Sequence, residues 1–136
     1  MRVNKRITGV LAACCLGGAA VLVSAGSAQA ATNCTLGGGG HPDWHTCHNV
    51  VGATVYGGQG PSSKTDGTVN LNVVSGHLNS NPSWFECRID NGPWNGGGPH
   101  PNRWLYTESD DGGWGWVADT DISDETNPVL GCGEFA

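Results

Sequence analysis

Glycine and proline interrupt this chain so often that long helices are excluded. The sequence contains 23 Gly and 7 Pro, mostly between short apolar runs. An interior Gly costs a helix about 1 kcal/mol, and an interior Pro about 3 kcal/mol, relative to Ala. Such a composition is also typical of disorder, but six Trp, two Tyr and two Phe bury large areas and favour a folded core. We therefore predict a small, turn-rich, all-β domain.

The first thirty residues have the pattern of an export signal. Residues 1–6 are basic, residues 7–23 are small and apolar, and residues 28–30 form an A-x-A cleavage site. We expect secretion, with a mature chain that begins at Ala31 and has no second membrane-spanning run.

Lipid attachment is the alternative for this segment. Residues 11–14 have the form of a lipobox that ends at Cys14. The residues after Cys14 stay apolar, whereas a lipoprotein normally continues into a polar tether. Simple secretion is therefore the prediction.

Four cysteines follow the signal segment: Cys34, Cys47, Cys87 and Cys132. An even set in a short exported chain predicts two disulfides, for which three connectivities exist. Loop closure favours nearest neighbours, so we predict the pairs Cys34–Cys47 and Cys87–Cys132.

The charge balance restricts the partners. Beyond residue 30 the chain has twelve acidic residues but only three basic ones, Lys64, Arg88 and Arg103. The formal charge of this part is therefore −9. A surface this acidic repels phosphate backbones and anionic lipids, so we expect neither nucleic-acid nor membrane partners. We expect the secreted chain to be a monomer.

The mature chain divides into an N-terminal arm and a β domain. Residues 31–50 include Gly37 to Gly40 and Pro42, a pattern that we interpret as a Gly/His-rich, disulfide-pinned arm without regular structure. Residues 51–136 carry short β-like runs separated by turns, which predict a small barrel or sandwich. The five predicted strands are 52–57, 68–74, 83–89, 103–108 and 114–118.

Several short motifs follow one another between residues 50 and 132. They are Gly52-x-x-Val55, Gly60-Pro61-Ser62, Trp84-Phe-x-Cys87, Trp104-Leu-Tyr106, Gly113-Trp-Gly-Trp-Val117 and Asn127-Pro-Val-x-Gly-Cys132. This order resembles that of the secreted SH3-like domains of actinobacteria, and the resemblance implies a small five-stranded SH3-like barrel. The chain departs from that family at residues 54–61, where it lacks the Arg of the usual Asn-Val-Arg-Ser-Gly-Pro. Contacts that this Arg supports in relatives are therefore not carried over.

An aromatic hairpin is the strongest candidate binding feature. Alternate residues of a strand share a face, so two pairs of aromatic residues point together while Leu105 and Val117 point into the core. In SH3-like domains such a strip forms the groove that grips extended peptides or cell-wall stems. The alternative is that part of this cluster is core, capped by the loop before it. The predicted ligand-binding residues are Trp104, Tyr106, Trp114 and Trp116.

The arm also contains side chains that zinc could use. These are His41, His45, His48, Cys34 and Asp43. Because the thiols are expected to be oxidised and the spacing lies on a Gly/Pro-broken arm, we predict a solvated loop and no metal site.

An acidic run at residues 119–125, near Asp110 and Asp111, raises the possibility of calcium. An EF-hand loop needs Gly at its sixth place and Glu at its twelfth, and this run has Asp124 and Leu130 there. We predict a solvated acidic turn instead.

Catalysis is not expected. The sequence has no G-x-S-x-G or H-E-x-x-H motif and no free thiol once the disulfides form. Glu86, Glu108 and Asp90 are candidate carboxylates, but no pattern places two of them within the distance that glycosidases need. We predict no catalytic residues and no cofactor.

These observations predict a secreted, non-catalytic binding module for a peptide or a cell-envelope polymer. The alternative is a secreted inhibitor or toxin-like effector that presents the loop 90–102, with Trp94, to a partner protein.

Overall fold

A computed structural model describes residues 32–135, and this part of the chain is all-β. The predicted export signal, residues 1–30, and the alternative lipid site at Cys14 lie outside the described residues. Two short 3-10 helices, Asp119–Asp121 and Cys132–Phe135, accompany the strands. No helix among residues 32–135 has the length and apolarity to cross a membrane. The strands are β1 (Thr35–Gly38), β2 (His41–Cys47), β3 (Ala53–Gln59), β4 (Thr68–Leu78), β5 (Ser83–Phe85), β6 (Cys87–Ile89), β7 (Trp104–Glu108) and β8 (Trp114–Ala118).

The strands form two antiparallel sheets. One has the order β1-β2-β5, and the other has the order β4-β3-β8-β7-β6. The larger sheet ends at β4 on one side and at β6 on the other, so among the described residues it does not close into a barrel.

The prediction that residues 31–50 lack regular structure is wrong, because this segment contains the hairpin of β1 and β2. Gly39 and Gly40 form its turn with φ values of +55° and +80°, a region that glycine enters without strain. The glycine run therefore makes a turn between two strands. The hairpin is also part of a sheet, since β2 pairs with β5.

The predicted strand at residues 83–89 is divided between the two sheets at Glu86. Its first half, β5, pairs with β2, and its second half, β6, pairs with β7. The backbone N–H of Glu86 donates to the carbonyl of Tyr106 at 2.9 Å, so this stretch joins the sheets. The division and the N-terminal hairpin raise the number of strands from the five predicted to eight.

Strand β4 departs from simple alternation. Its partner residues on β3 move from Gly57 opposite Asn70 to Tyr56 opposite Val74, which leaves the intervening residues out of the ladder. Leu71 and Val73, which alternation places on one face with Val69, are each 46% exposed. The register shift interrupts the ladder of this edge strand and removes residues 71–73 from simple alternation.

Two apolar clusters form the core, and each contains one disulfide. The disulfides join Cys34 to Cys47 and Cys87 to Cys132, so the predicted pairing is confirmed. Leu105 and Val117 are fully buried in the first cluster, as the alternation of side chains along a strand predicts. The first cluster is Cys34, Cys47, Ala53, Val55, Leu78, Phe85, Leu105, Val117, Ile122 and Val129. The second is Cys87, Ile89, Trp104, Trp116, Ala118 and Cys132.

Candidate aromatic binding surface

The four predicted aromatic residues lie along one face of β7 and β8, but two of them are core. Trp104 is 2% exposed and Trp116 is fully buried. Tyr106 links the buried and open ends of the row, with its ring centroid 4.9 Å from Trp116 and 5.4 Å from Trp114. The prediction of one open groove lined by all four side chains is therefore corrected. The open part of the row is at Tyr106 and Trp114.

Two loops cover the buried end of this row. The indole Nε1–H of Trp104 donates to the carbonyl of Pro93 at 2.8 Å, and that of Trp116 donates to the carbonyl of Gln59 at 3.3 Å. The second of these loops connects β3 to β4 and contains Gly67. A Cβ atom at Gly67 would lie 2.4 Å from the Trp116 ring, so only glycine allows this loop to pack so closely. The loop before Trp104 thus caps the core, as the alternative interpretation of the hairpin predicts.

The open end of the row continues onto the smaller sheet. Trp114 is 39% exposed, and its ring lies 5.5 Å from that of Trp84 on β5 and 6.1 Å from that of Trp44 on β2. Trp44 and Trp84 are each half-buried. We call this continuous set the aromatic surface, and it consists of His41, Trp44, Trp84, Tyr106 and Trp114.

Ring stacking connects the residues of the aromatic surface. His41 stacks on Trp44 with ring centroids 3.6 Å apart, and Trp44 stacks on Trp84 at 4.6 Å with an interplanar angle of 22°. Trp44 is therefore held between His41 and Trp84, and its two ring faces are occupied. Trp114 meets this stack at its edge and is the most exposed of the three Trp residues of the surface.

The pairing of β2 with β5 explains why Trp44 and Trp84 meet. Thr46 lies opposite Trp84 in the ladder, and Trp44 shares a face with Thr46 because side chains alternate along a strand. His45 and Cys47 occupy the other face and are buried. Sequence reasoning missed Trp44 because it treated the arm as irregular, and it missed Trp84 because the strand that pairs with β5 lies in that arm. The sequence does contain a signal for this strand. Trp44 and Thr46 alternate with His45 and Cys47, a pattern typical of a β-strand, next to a cysteine of the short disulfide loop.

Glu86 lies beside the aromatic surface, close to both His41 and Tyr106. Burial raises the pKa of the Glu86 carboxyl, an effect that the nearby His41 partly offsets. Burial also raises the pKa of Tyr106, and the negative charge of Glu86 raises it further. Glu86 is therefore a partly desolvated carboxylate next to the aromatic surface.

Asp90, another candidate carboxylate, is held by two arginines. Arg103 Nε donates to Asp90 Oδ1 at 2.5 Å, and Arg88 donates to the other carboxylate oxygen. Burial alone would raise the pKa of Asp90, but the hydrogen bonds and charges of Arg103 and Arg88 lower it. Arg103 is itself buried and also binds Thr126 and Asn127, so this network fastens the base of the loop 90–102 to the segment after residue 119.

The histidines of the arm do not form the predicted solvated loop. His45 is 5% exposed, and burial lowers its pKa. His48 is more open, and its Nδ1 lies 2.9 Å from Asp124 Oδ2. Among residues 32–135, no group of three or more His, Cys, Asp or Glu side chains is arranged to hold a metal ion.

The acidic run at residues 119–125 is also more buried than a solvated turn would be. Asp119 is 7% exposed and accepts a hydrogen bond from the hydroxyl of Thr126. Burial raises the pKa of both Asp119 and Asp121. This run packs against the N-terminal arm, since Val50 N–H donates to the carbonyl of Asp121 at 2.8 Å.

Trp94, the residue of the alternative hypothesis, lies apart from these contacts and is 68% exposed. The loop that carries it is well held. Asn95 Nδ2 donates to the carbonyls of His100 and Arg103, both at 2.9 Å, and the hydroxyl of Thr120 donates to the carbonyl of Asn95.

Comparison with known proteins identifies no relative of this chain. No protein-family model, curated protein or solved structure matches the chain.

Proposed function

We propose that this protein is a secreted, non-catalytic binding module of SH3-like type that recognises an extended peptide or cell-envelope polymer at the aromatic surface. The observation that carries this proposal is the continuous row from His41 to Tyr106, which crosses from one sheet to the other and stays partly open. Exposed aromatic patches are uncommon on proteins that have no partner for them.

The physical properties of the row suit an extended ligand. Stacking and strand pairing hold Trp44 and Trp84 in place before any ligand arrives, so little side-chain entropy is lost on binding. Trp114 supplies open apolar area at the centre, where interface hot spots concentrate. Secretion is supported by the two disulfides, since such bonds persist in oxidising compartments.

Sedimentation with purified peptidoglycan tests the proposal. The wild-type protein should sediment with the polymer, and Trp114→Ala should weaken the binding by about thirtyfold, the effect of a hot spot of about 2 kcal/mol. Trp94→Ala is the matched control, because Trp94 is an exposed Trp outside the aromatic surface. Sedimentation that is equal for wild type and Trp114→Ala would contradict the proposal.

A second candidate function rests on the loop 90–102. Trp94 is the most exposed Trp of the described residues, and the hydrogen bonds of Asn95 hold its loop in a defined shape. A fixed loop with an open Trp is suited to insertion into a pocket of a partner protein, as in a secreted inhibitor. This second function would be favoured if Trp94→Ala no longer binds a secreted hydrolase while Trp114→Ala binds it as wild type does.

A further inference from the structure

A cleft of about 370 Å³ opens next to the aromatic surface. Its walls are the segment 61–66, Glu86 and the start of the C-terminal turn at Cys132 and Gly133. The cleft adjoins the aromatic surface through Glu86, whose backbone N–H donates to the carbonyl of Tyr106, and through Gly60, just before the segment, which packs against the Tyr106 hydroxyl. A ligand on the aromatic surface can therefore extend a side chain into this cleft.

The carboxylates of the cleft form no ion pair within residues 32–135. Both arginines beyond residue 30 are directed at Asp90, and none of the ion pairs among the described residues includes Glu86 or Asp66. Lys64 also lines the cleft but takes part in no ion pair within residues 32–135. Glu86 is half-buried, so its ionised form loses hydration, and the charge of the nearby His41 offsets this loss only in part.

We infer that this cleft is a subsite for a primary ammonium group, such as a lysine-type side chain of a bound peptide. The inference rests on the proposed function, since it names a chemical group of the same ligand. Glu86 and Asp66 supply charge-assisted acceptors for the ammonium group. The formal charge of −9 beyond residue 30 also attracts cationic ligands over longer distances.

A pair of matched small molecules tests the subsite. Nα-acetyl-lysine methylamide is titrated into isotopically labelled protein, and Nα-acetyl-norleucine methylamide, which lacks the ammonium, is the control. The lysine derivative should cause saturable shifts at the backbone amides of residues 61–66 and at Glu86 and Gly133. The norleucine derivative should cause none. Equal binding of the two compounds, or no saturable shift with the lysine derivative, would overturn the inference.

Variants locate the interaction. Glu86→Gln keeps the shape of the side chain and should weaken binding of the lysine derivative at least tenfold. Lys64→Gln removes the competing positive charge and should strengthen it about twofold. Glu108→Gln, a half-buried glutamate on β7 outside the cleft lining, should leave it within twofold of wild type. An unchanged affinity in Glu86→Gln would also overturn the inference.

The two proposals fail separately in this design. If wild type binds the lysine derivative at Glu86 but does not sediment with peptidoglycan, the ammonium subsite stands and the polymer-binding function fails. The opposite result is that wild type sediments with peptidoglycan, Trp114→Ala does not, and wild type binds the lysine and norleucine derivatives equally. In that case the function stands and the subsite fails.

Discussion

Trp44 stacks on Trp84 with ring centroids 4.6 Å apart, and through this contact the N-terminal hairpin becomes part of the candidate binding surface. Trp44 lies on β2 and Trp84 on β5, two strands that pair although they are distant in the sequence. The stack places the half-buried Trp84 beside the open ring of Trp114. The aromatic surface therefore depends on residues of the N-terminal hairpin as well as on the hairpin of β7 and β8.

Truncation of the aromatic row should separate stability from binding. Trp116→Ala removes a fully buried side chain and should lower the free energy of unfolding by about 3–5 kcal/mol through lost burial and a cavity. Trp114→Ala removes a side chain that is 39% exposed and should lower it by about 1–2 kcal/mol. Urea denaturation of both variants checks this order, and equal losses would contradict the assignment of Trp116 to the core.

Gly39 should be required for the Trp44–Trp84 stack, whereas Gly40 should not. A Cβ atom at Gly39 would lie 2.8 Å from the Trp44 ring and 2.9 Å from the Trp84 ring, but at Gly40 it would meet no atom within 4 Å. Both residues have positive φ, so either change to Ala adds about 1–2 kcal/mol of backbone strain.

Circular dichroism measures this difference, since closely stacked indoles give a coupled signal. Gly39→Ala should weaken that signal and reduce peptidoglycan binding, while Gly40→Ala should retain both. A coupled signal that survives unchanged in Gly39→Ala would contradict the geometry of the hairpin turn.

Removal of each disulfide should destabilise the domain to a different extent. The Cys34–Cys47 bond spans 13 residues and the Cys87–Cys132 bond spans 45. Chain-entropy reasoning gives losses of about 3 and about 4 kcal/mol for the two double Cys→Ala variants. Thermal or urea unfolding under non-reducing conditions measures both. The first variant should also lose peptidoglycan binding, because it releases the hairpin that carries Trp44, and retained binding would argue against a role for that hairpin.

His45 should make the stability fall in mild acid. Burial lowers its pKa in the folded state, so below the unfolded value of about 6.5 the unfolded chain binds more protons. The contribution of His45 is therefore fully present above pH 6.5 and is lost as the pH falls below that value. His45→Leu removes this dependence, so its melting temperature should fall less than that of wild type between pH 7.5 and pH 5.5.

A matched variant isolates the effect of His45. His77→Gln alters a side chain that is 49% exposed and leaves His45 in place, so it should show the decline of the wild type. The same decline in His45→Leu as in wild type would show that His45 is not the group responsible.

Local patterns in the sequence were sufficient for several features. The frequency of Gly and Pro together with the aromatic content predicted an all-β domain, and loop length predicted the pairing of Cys34 with Cys47 and of Cys87 with Cys132. Strand alternation predicted that Leu105 and Val117 point into the core. These features follow from backbone pleating and chain entropy, which depend on residues close together in the chain or on the number of residues between them.

Tertiary structure alone decided which aromatic residues are open. Strand alternation and the pairing of β7 with β8 place Trp104 and Trp114 on the same face of the hairpin. The loop around Pro93 nevertheless covers Trp104, while Trp114 remains 39% exposed. The contact of Trp44 with Trp84 likewise depends on the pairing of β2 with β5. Alternation assigns a side chain to a face of its strand, but it carries no information about which distant segment packs on that face. Burial of that face, and hence the location of the candidate site, is therefore determined by long-range packing.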